Sequence, residues 1–222
     1  MIMRDKLSVQ LHVLRDPDIR LLLRAYFDAH HPNVVVIDEL PIHHHATRAD
    51  IVVVGESTLD AYEIKSDVDN MQRFEDQHSV YESIFDSVTI VTTGRHHAKA
   101  VATIPASVGV ITVDGLQSIV IQREPRSRPQ PKISDVLGLL TRVELQLICR
   151  LNVLPAREPY RASYAWRIMQ GCTHDEVRFL VRETLRSRYT KHDVTADQNP
   201  PRICLDATSM WWATPIAVQN RF

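Results

Sequence analysis

Residues 48–66 read RADIVVVGESTLDAYEIKS, and the reading of this stretch decides the fold. It holds two runs of strand-forming residues, DIVVV at 50–54 and LDAYEIK at 59–65. The GEST between them, residues 55–58, reads as a hairpin turn. Glu63 and Lys65 stand two apart, so they share one face of their strand. Asp50 opens the other strand, and antiparallel pairing sets the start of the first strand beside the end of the second. Two carboxylates and an ammonium therefore converge. With a backbone carbonyl, such a group suits a hard cation of the Mg²⁺ type. A lysine beside it can orient or deprotonate a water, or neutralise charge developing on phosphate. The same residues also suit an ordinary amphipathic hairpin with solvated, charged ends, where acids and lysines are common.

The 222 residues suffice for one large domain or two small ones with a proper core. Hydrophobic residues make up 44% and charged residues 24%, the balance of a soluble globular chain. No basic stretch followed by an apolar run opens the sequence, and no apolar run approaches the ~18 residues of a membrane span. A cytoplasmic setting without membrane partners is expected. Cys149, Cys172 and Cys204 are too few and too scattered for a disulfide framework or a cysteine zinc site. The net charge of −1 hides an asymmetry. Residues 1–122 carry 10 basic and 17 acidic side chains, and residues 123–222 carry 16 basic and 10 acidic ones. An acidic first half suits a cation site and a basic second half suits a polyanion.

Upstream of the hairpin, Asp16 reads as an N-cap with Pro17 at the first helical position. Ile19, Leu22, Leu23, Tyr26 and Phe27 then follow at helical spacing. Residues 33–39 form a β-branched strand ending in Asp38-Glu39, and Glu39 is a candidate third carboxylate beside Asp50 and Glu63. His43-His44-His45 invite a zinc hypothesis, but adjacent loop residues rarely face one way and a closed site needs further ligands. A polar loop at the site entrance is the competing reading.

Downstream, the period changes at about residue 69. Met71, Phe74, Gln77, Tyr81 and Ile84 share a helical face, which sets Gln77 and Tyr81 against the sheet. A glutamine there costs free energy unless it is hydrogen-bonded. It is either satisfied by backbone or reaches the site. A strand at 87–92, a helix at 95–103, a strand at 109–113 and a returning strand at 116–121 follow. Residues 123–132, REPRSRPQPK, read as an extended linker. Residues 133–153 are helical by pattern, and Thr173 to Glu176 form a capping box that opens another helix. That helix carries Arg178, Arg182, Arg186 and Arg188 on what reads as a basic outer side, either a solvated face or a nucleic-acid contact. The expected organisation is a core at 1–122, a linker at 123–132, a helical region at 133–190 and a tail at 191–222, which contains Trp211-Trp212.

Helix, strand, Asp-bearing strand, Glu-x-Lys strand, helix and strand in this order resemble the PD-(D/E)XK nuclease superfamily. The pattern reads Asp50, twelve residues, then Glu63-Ile64-Lys65. Gln77-x-x-x-Tyr81 on the next helix is similar to a pattern in exonuclease-like branches. RADIVVV, YEIKSDVD and FDSVTIV resemble a bacterial branch of largely uncharacterised proteins with a helical C-terminal region. The resemblance covers roughly residues 16–190. The proline expected before the first acid is replaced by Ala49.

The resemblance implies an α/β, restriction-endonuclease-like core, a central mixed β-sheet flanked by helices, followed by a small helical C-terminal region. It implies a metal-dependent phosphodiesterase that hydrolyses nucleic acid, DNA in the first instance. Asp50, Glu63 and the Ile64 carbonyl would hold Mg²⁺, with Mn²⁺ able to substitute. Lys65 would position the attacking water or stabilise the pentavalent phosphorane. Glu39 would be an accessory ligand or an outer-shell orienter, Gln77 and Tyr81 would support the site or contact substrate, and Arg48 and Asp67 would be outer partners. Cutting of both strands would favour a homodimer. Two other readings stay open: a non-catalytic nucleic-acid-binding or assembly protein that keeps the fold, motivated by the basic second half and its arginine helix, and a metal hydrolase built on His43 to His45.

Overall fold

The computed structural model describes residues 13–42, 47–69, 73–114, 118–126, 131–154 and 159–190. The His43–His45 loop and the 191–222 tail lie outside these described residues. Helix α1 spans Asp16–His30 and turns Ile19, Leu23 and Phe27 inward at helical spacing. Its N-cap is Arg15, one residue before the expected Asp16, and the Asp18 carboxylate accepts the Arg15 amide at 3.0 Å. An acid two residues inside the helix can reach back to a free N–H, so Asp16 is released for another partner.

The quoted stretch forms a hairpin as expected: β2 spans Thr47–Val54 and β3 spans Leu59–Lys65. The Gly55 amide donates to the Thr58 carbonyl at 2.9 Å and closes the turn. Strand β1, Val35–Ile42, pairs with β2, so three consecutive strands run antiparallel. Helix α2, Arg73–Ile84, then crosses back so that β4, Ser87–Thr93, runs parallel to β3. Helix α3, Gly94–Thr103, leads to β5, Gly109–Val113, again parallel, and β6, Ile119–Arg123, returns antiparallel. The result is one six-stranded mixed sheet in the order β1-β2-β3-β4-β5-β6. The fold is α/β, with helices on both faces of this sheet.

Helix α1 covers one face, where Leu14, Ile19, Leu23 and Phe27 pack on Ile51, Val53, Ile64, Val91, Ile111 and Val113. The other face is larger. Tyr81 and Ile84 of α2, and Phe85 just after it, share a single core cluster there with Val52, Val54, Leu59, Ala61, Val88 and Ile90. The same cluster takes in the C-terminal helices: α4 (Ile133–Val136), a 3-10 turn (Leu137–Leu139), α5 (Arg142–Leu151), α6 (Arg161–Gly171) and α7 (His174–Thr190). The single helical region expected at 133–153 is thus two helices. Thr141 opens the second, its hydroxyl accepting the Glu144 amide at 3.3 Å while Glu144 accepts the Thr141 amide at 2.7 Å.

The arginines of α7 do not face outward. Arg178 pairs with the buried Asp86, Arg182 donates to the Glu56 carbonyl at 3.1 Å, and Arg186 donates to the Asn33 and Val54 carbonyls at 2.9 and 3.0 Å. Arg188 forks onto both carboxylate oxygens of the buried Glu144, at 2.7 Å through Nε and a second bond through Nη2. The basic stripe read from the sequence as an outer side is therefore a row of hooks that fasten α7 to sheet turns and to α5. The heptad-like spacing is the same for both uses, and only the apolar residues between the arginines decide which way the helix turns. Among the described residues, no helix is long and apolar enough to cross a membrane.

Candidate metal and phosphate site

Strands β2 and β3 pair at Ile51↔Tyr62, Val52↔Ala61, Val53↔Asp60 and Val54↔Leu59, and there the pairing stops. Beyond it the Asp50 carboxylate lies in the gap and accepts the Ile64 amide at 2.8 Å through Oδ2. The N–H and C=O of one strand residue point the same way, so the Ile64 carbonyl opens onto that gap too. Asp50 reaches this place because side-chain alternation slips beside it. On β1, Ile37, Leu40 and Ile42 all enter the larger core, which a regular strand could not arrange. Ala49 and Val52 do the same on β2, whereas Ile51 enters the opposite core. The slip is centred on Glu39, whose φ of 52° is left-handed for a non-glycine, and on Asp50, which the register sets opposite Glu39.

Glu63 and Lys65 share a face as their spacing requires, and the Lys65 ammonium donates to Glu63 Oε1 at 2.6 Å. Both are buried, at 2% and 7% exposure. Tyr81 from α2, fully buried, places its hydroxyl 2.9 Å from Glu63 Oε2 and 2.8 Å from the Arg48 carbonyl. The hydroxyl has one proton, which the carboxylate attracts more strongly than a neutral carbonyl does. Burial and then the neighbouring Glu63 charge push the Tyr81 hydroxyl pKa upward, so it stays a donor. The Asp50 carboxyl is pushed up to about 7 by burial first and by the Glu63 charge second, against the pull of the Ile64 amide, Arg20 and Lys65.

Arg20, on α1, is the residue that sequence reasoning missed. Its Nη1 donates to the Asp50 carbonyl at 2.5 Å, its Nη2 to Glu39 Oε1 at 2.5 Å, and its Nε to Asp16 Oδ1 at 2.5 Å. Its Nη2 also stands 3.6 Å from Asp50 Oδ1. Burial alone would make the guanidinium easier to deprotonate, but Asp16, Asp50 and Glu39 outweigh it and hold the charge. Of its two expected parts Glu39 takes the outer one, holding Arg20, which in turn bonds the Asp50 carbonyl. It lies beside Asp50 in register, yet its carboxylate is drawn to Arg20 instead of joining Asp50 and Glu63. The i,i+4 spacing of Asp16 and Arg20 at the edge of the apolar stripe was the available signal.

The remaining candidates fall in different places. Arg48 is exposed and contributes its main-chain carbonyl to Tyr81. Asp67 faces away from the carboxylates. Its Oδ2 accepts the Leu14 amide at 3.0 Å, its Oδ1 accepts the Thr93 hydroxyl at 2.6 Å, and it so ties the segment before α1 to the ends of β3 and β4. Gln77 is half-buried one turn before Tyr81, and its Oε1 is buried with no hydrogen-bond partner. Arg178, Arg182 and Arg186 hold α7 in place, as described above, and are not gathered at this site. Among the described residues, no three His, Cys, Asp or Glu side chains stand together as a metal-holding group. The hard-oxygen set here is two carboxylates and a main-chain carbonyl.

Three comparisons with known proteins bear on this chain. Protein cII of Enterobacteria phage P4 is 28% identical over 110 residues, which are 49% of this chain and 41% of that protein. The match thus spans less than half the length of this relative. A protein of unknown function from Silicibacter pomeroyi superposes with a TM-score of 0.42 at 17% identity, covering 65% of this chain and 93% of the other. That likeness is too distant to carry an argument. The profile of the bacteriophage P4 protein cII family matches residues 14–197, and the chain belongs to that family.

Proposed function

We propose that the protein is a divalent-metal-dependent phosphodiesterase with a restriction-endonuclease-like core, acting on DNA. The observation that carries it is the parting of β2 from β3. Into that gap come the Asp50 carboxylate and the Ile64 main chain, with Glu63 near enough to push the Asp50 carboxyl up to about 7. A buried carboxylate whose ionisation is opposed by a neighbouring carboxylate is stabilised by a cation that the two share. The element order α1-β1-β2-β3-α2-β4, antiparallel through β3 and parallel at β4, supports the same reading.

Asp50, Glu63 and the Ile64 carbonyl would hold Mg²⁺, or Mn²⁺ in its place. A bound ion of this kind polarises a phosphate oxygen and lowers the pKa of a water. The chain's own residues supply the rest. Arg20 and the Ile64 amide fix Asp50 from two sides, and Tyr81 fixes Glu63. Lys65 presents an ammonium to a water or to the charge that grows on phosphate. The arginine row, one of two features that favoured a purely binding protein, is engaged within the fold, and the basic second half is the other.

The test incubates wild type and Lys65→Ala with linear, circular and single-stranded DNA and with RNA, in Mg²⁺, Mn²⁺ or EDTA. Metal-dependent cleavage of DNA by wild type, reduced at least ~100-fold in the variant, is expected. Equal cleavage by both proteins, or none with any metal, would sink the proposal.

A further inference from the structure

The Lys65 ammonium carries three N–H donors, and among the described residues one of them is used, on Glu63 Oε1. Two buried acceptors without a partner lie on the elements beside β3, one on β4 and one on α2. Thr92, on β4, is the parallel-register neighbour of Lys65. Val88 and Ile90 precede it at two-residue spacing in the core cluster that also holds Leu59 and Ala61, so Thr92 shares the face of Glu63 and Lys65. Thr92 is 0% exposed, and its hydroxyl oxygen has no hydrogen-bond partner. Gln77 Oε1, likewise buried and unpartnered, comes from α2.

Helix α2 runs back along β3. Its far end is tied to the start of that strand, where the Asp86 amide donates to the Leu59 carbonyl at 2.8 Å. Tyr81 meets Glu63. From there to Gln77 is four helical residues, about 6 Å of rise. From Glu63 to Lys65 is two strand residues, about 6.6 Å in the same direction. Gln77 is thus level with Lys65, as Tyr81 is level with Glu63.

An unpartnered buried hydroxyl or amide oxygen costs free energy and calls for a donor. Neither oxygen presents surface to solvent, and the Lys65 ammonium has two N–H donors to spare among the described residues. We propose that Thr92 and Gln77 are positioning residues for Lys65: they receive its ammonium when Glu63 gives up the ion pair. If the site is that of a phosphodiesterase, as proposed above, Glu63 must turn its charge toward a cation, and Lys65 then loses its resting partner. The Thr92 hydroxyl and the Gln77 amide oxygen hold the freed ammonium at the site and keep it from swinging out. Lys65 so has a resting place on Glu63 and a working place between β4 and α2.

The experiment compares wild type, Thr92→Val, Thr92→Ser and Lys65→Ala in Mg²⁺-dependent DNA cleavage and in urea unfolding. Thr92→Val keeps the shape and removes the hydroxyl. It is expected to lower kcat about 10- to 100-fold with KM within twofold, the scale of loss for a displaced reacting group. Its urea midpoint is expected to be equal to or above that of wild type, because an unpartnered hydroxyl contributes nothing to the resting fold. Thr92→Ser should cleave within about threefold of wild type, a readout tied to the same positioning. If Lys65→Ala is silent while Thr92→Val cleaves like wild type, the positioning role is overturned and the phosphodiesterase stands. A lowered midpoint in Thr92→Val overturns it as well, since the hydroxyl then serves the resting structure. A wild type silent on every substrate overturns the phosphodiesterase and this inference together.

Discussion

Asp50→Asn should make the protein more stable, and by an amount that grows with pH. The folded Asp50 carboxyl ionises at about 7 against 3.8 for the free group, because burial first and Glu63 second oppose its charge. The sign follows from proton binding. Between pH 4 and 7 the native state holds a proton that the unfolded chain has released, so stability falls as pH rises through that window and is flat above it. At about 1.4 kcal/mol per unit, the three units between the two values set an upper bound of about 4 kcal/mol. Part of this belongs to Glu63, whose charge shares the cost, and about 2 kcal/mol is the expected gain at pH 8. Asparagine keeps an oxygen for the Ile64 amide, so that bond survives. Urea unfolding followed by circular dichroism, in chelator at pH 5, 6.5 and 8, reads the difference between the two proteins, in which titrating groups away from Asp50 cancel. Mg²⁺ added at pH 8 should raise the wild-type midpoint and leave that of the variant in place. A difference independent of pH, or a variant less stable at pH 8, would refute the electrostatic account of the site.

Two further outcomes follow from α7. Arg188→Ala strands the Glu144 carboxylate, 2% exposed, without its cation, and should cost about 3–5 kcal/mol in urea unfolding; adding Glu144→Gln should return part of the loss. Replacing Arg178, Arg182 and Arg186 by Ala together should lower stability by about 1 kcal/mol for each main-chain hook lost and by more for Arg178, whose loss strands the buried Asp86 carboxylate, and leave the salt dependence of DNA binding unchanged. A salt slope that falls by about one for each arginine removed would return them to the phosphate backbone.

Much of this fold was legible because its signals are local. The hairpin at 50–65 needs only a turn between two β-branched runs, and the alternation of Glu63 and Lys65 follows from the strand itself. Tyr81 was found because a helix face facing a sheet exposes its polar members to notice. What was not legible depends on distant partners. Nothing local to Glu39 announces a φ of 52° or the pull of Arg20 from another element. The α7 arginines have the spacing of a solvated stripe, and their acceptors are mostly main-chain carbonyls, which carry no sequence signature. Asp67 sits close to Lys65 in sequence, but the turn after β3 directs it to Leu14 and Thr93. Thr92 looks like any strand threonine until its register with Lys65 is known.

The hooks of α7 also bear on how the chain comes together. Arg186 closes a contact with Asn33 across 153 residues, and Arg182 one with Glu56 across 126. Val177, Leu180, Val181 and Leu185 complete the larger core beside strands made more than a hundred residues earlier. Contacts of such separation slow folding, because the intervening chain must be ordered before they reward it. During synthesis the hairpin, α1 and α2 can form early, but the opposite apolar face of the sheet stays only partly covered until α7 has left the ribosome. A nascent chain of this protein therefore carries part of its sticky surface until α7 emerges, and that interval is when it is open to misassembly or in need of a chaperone.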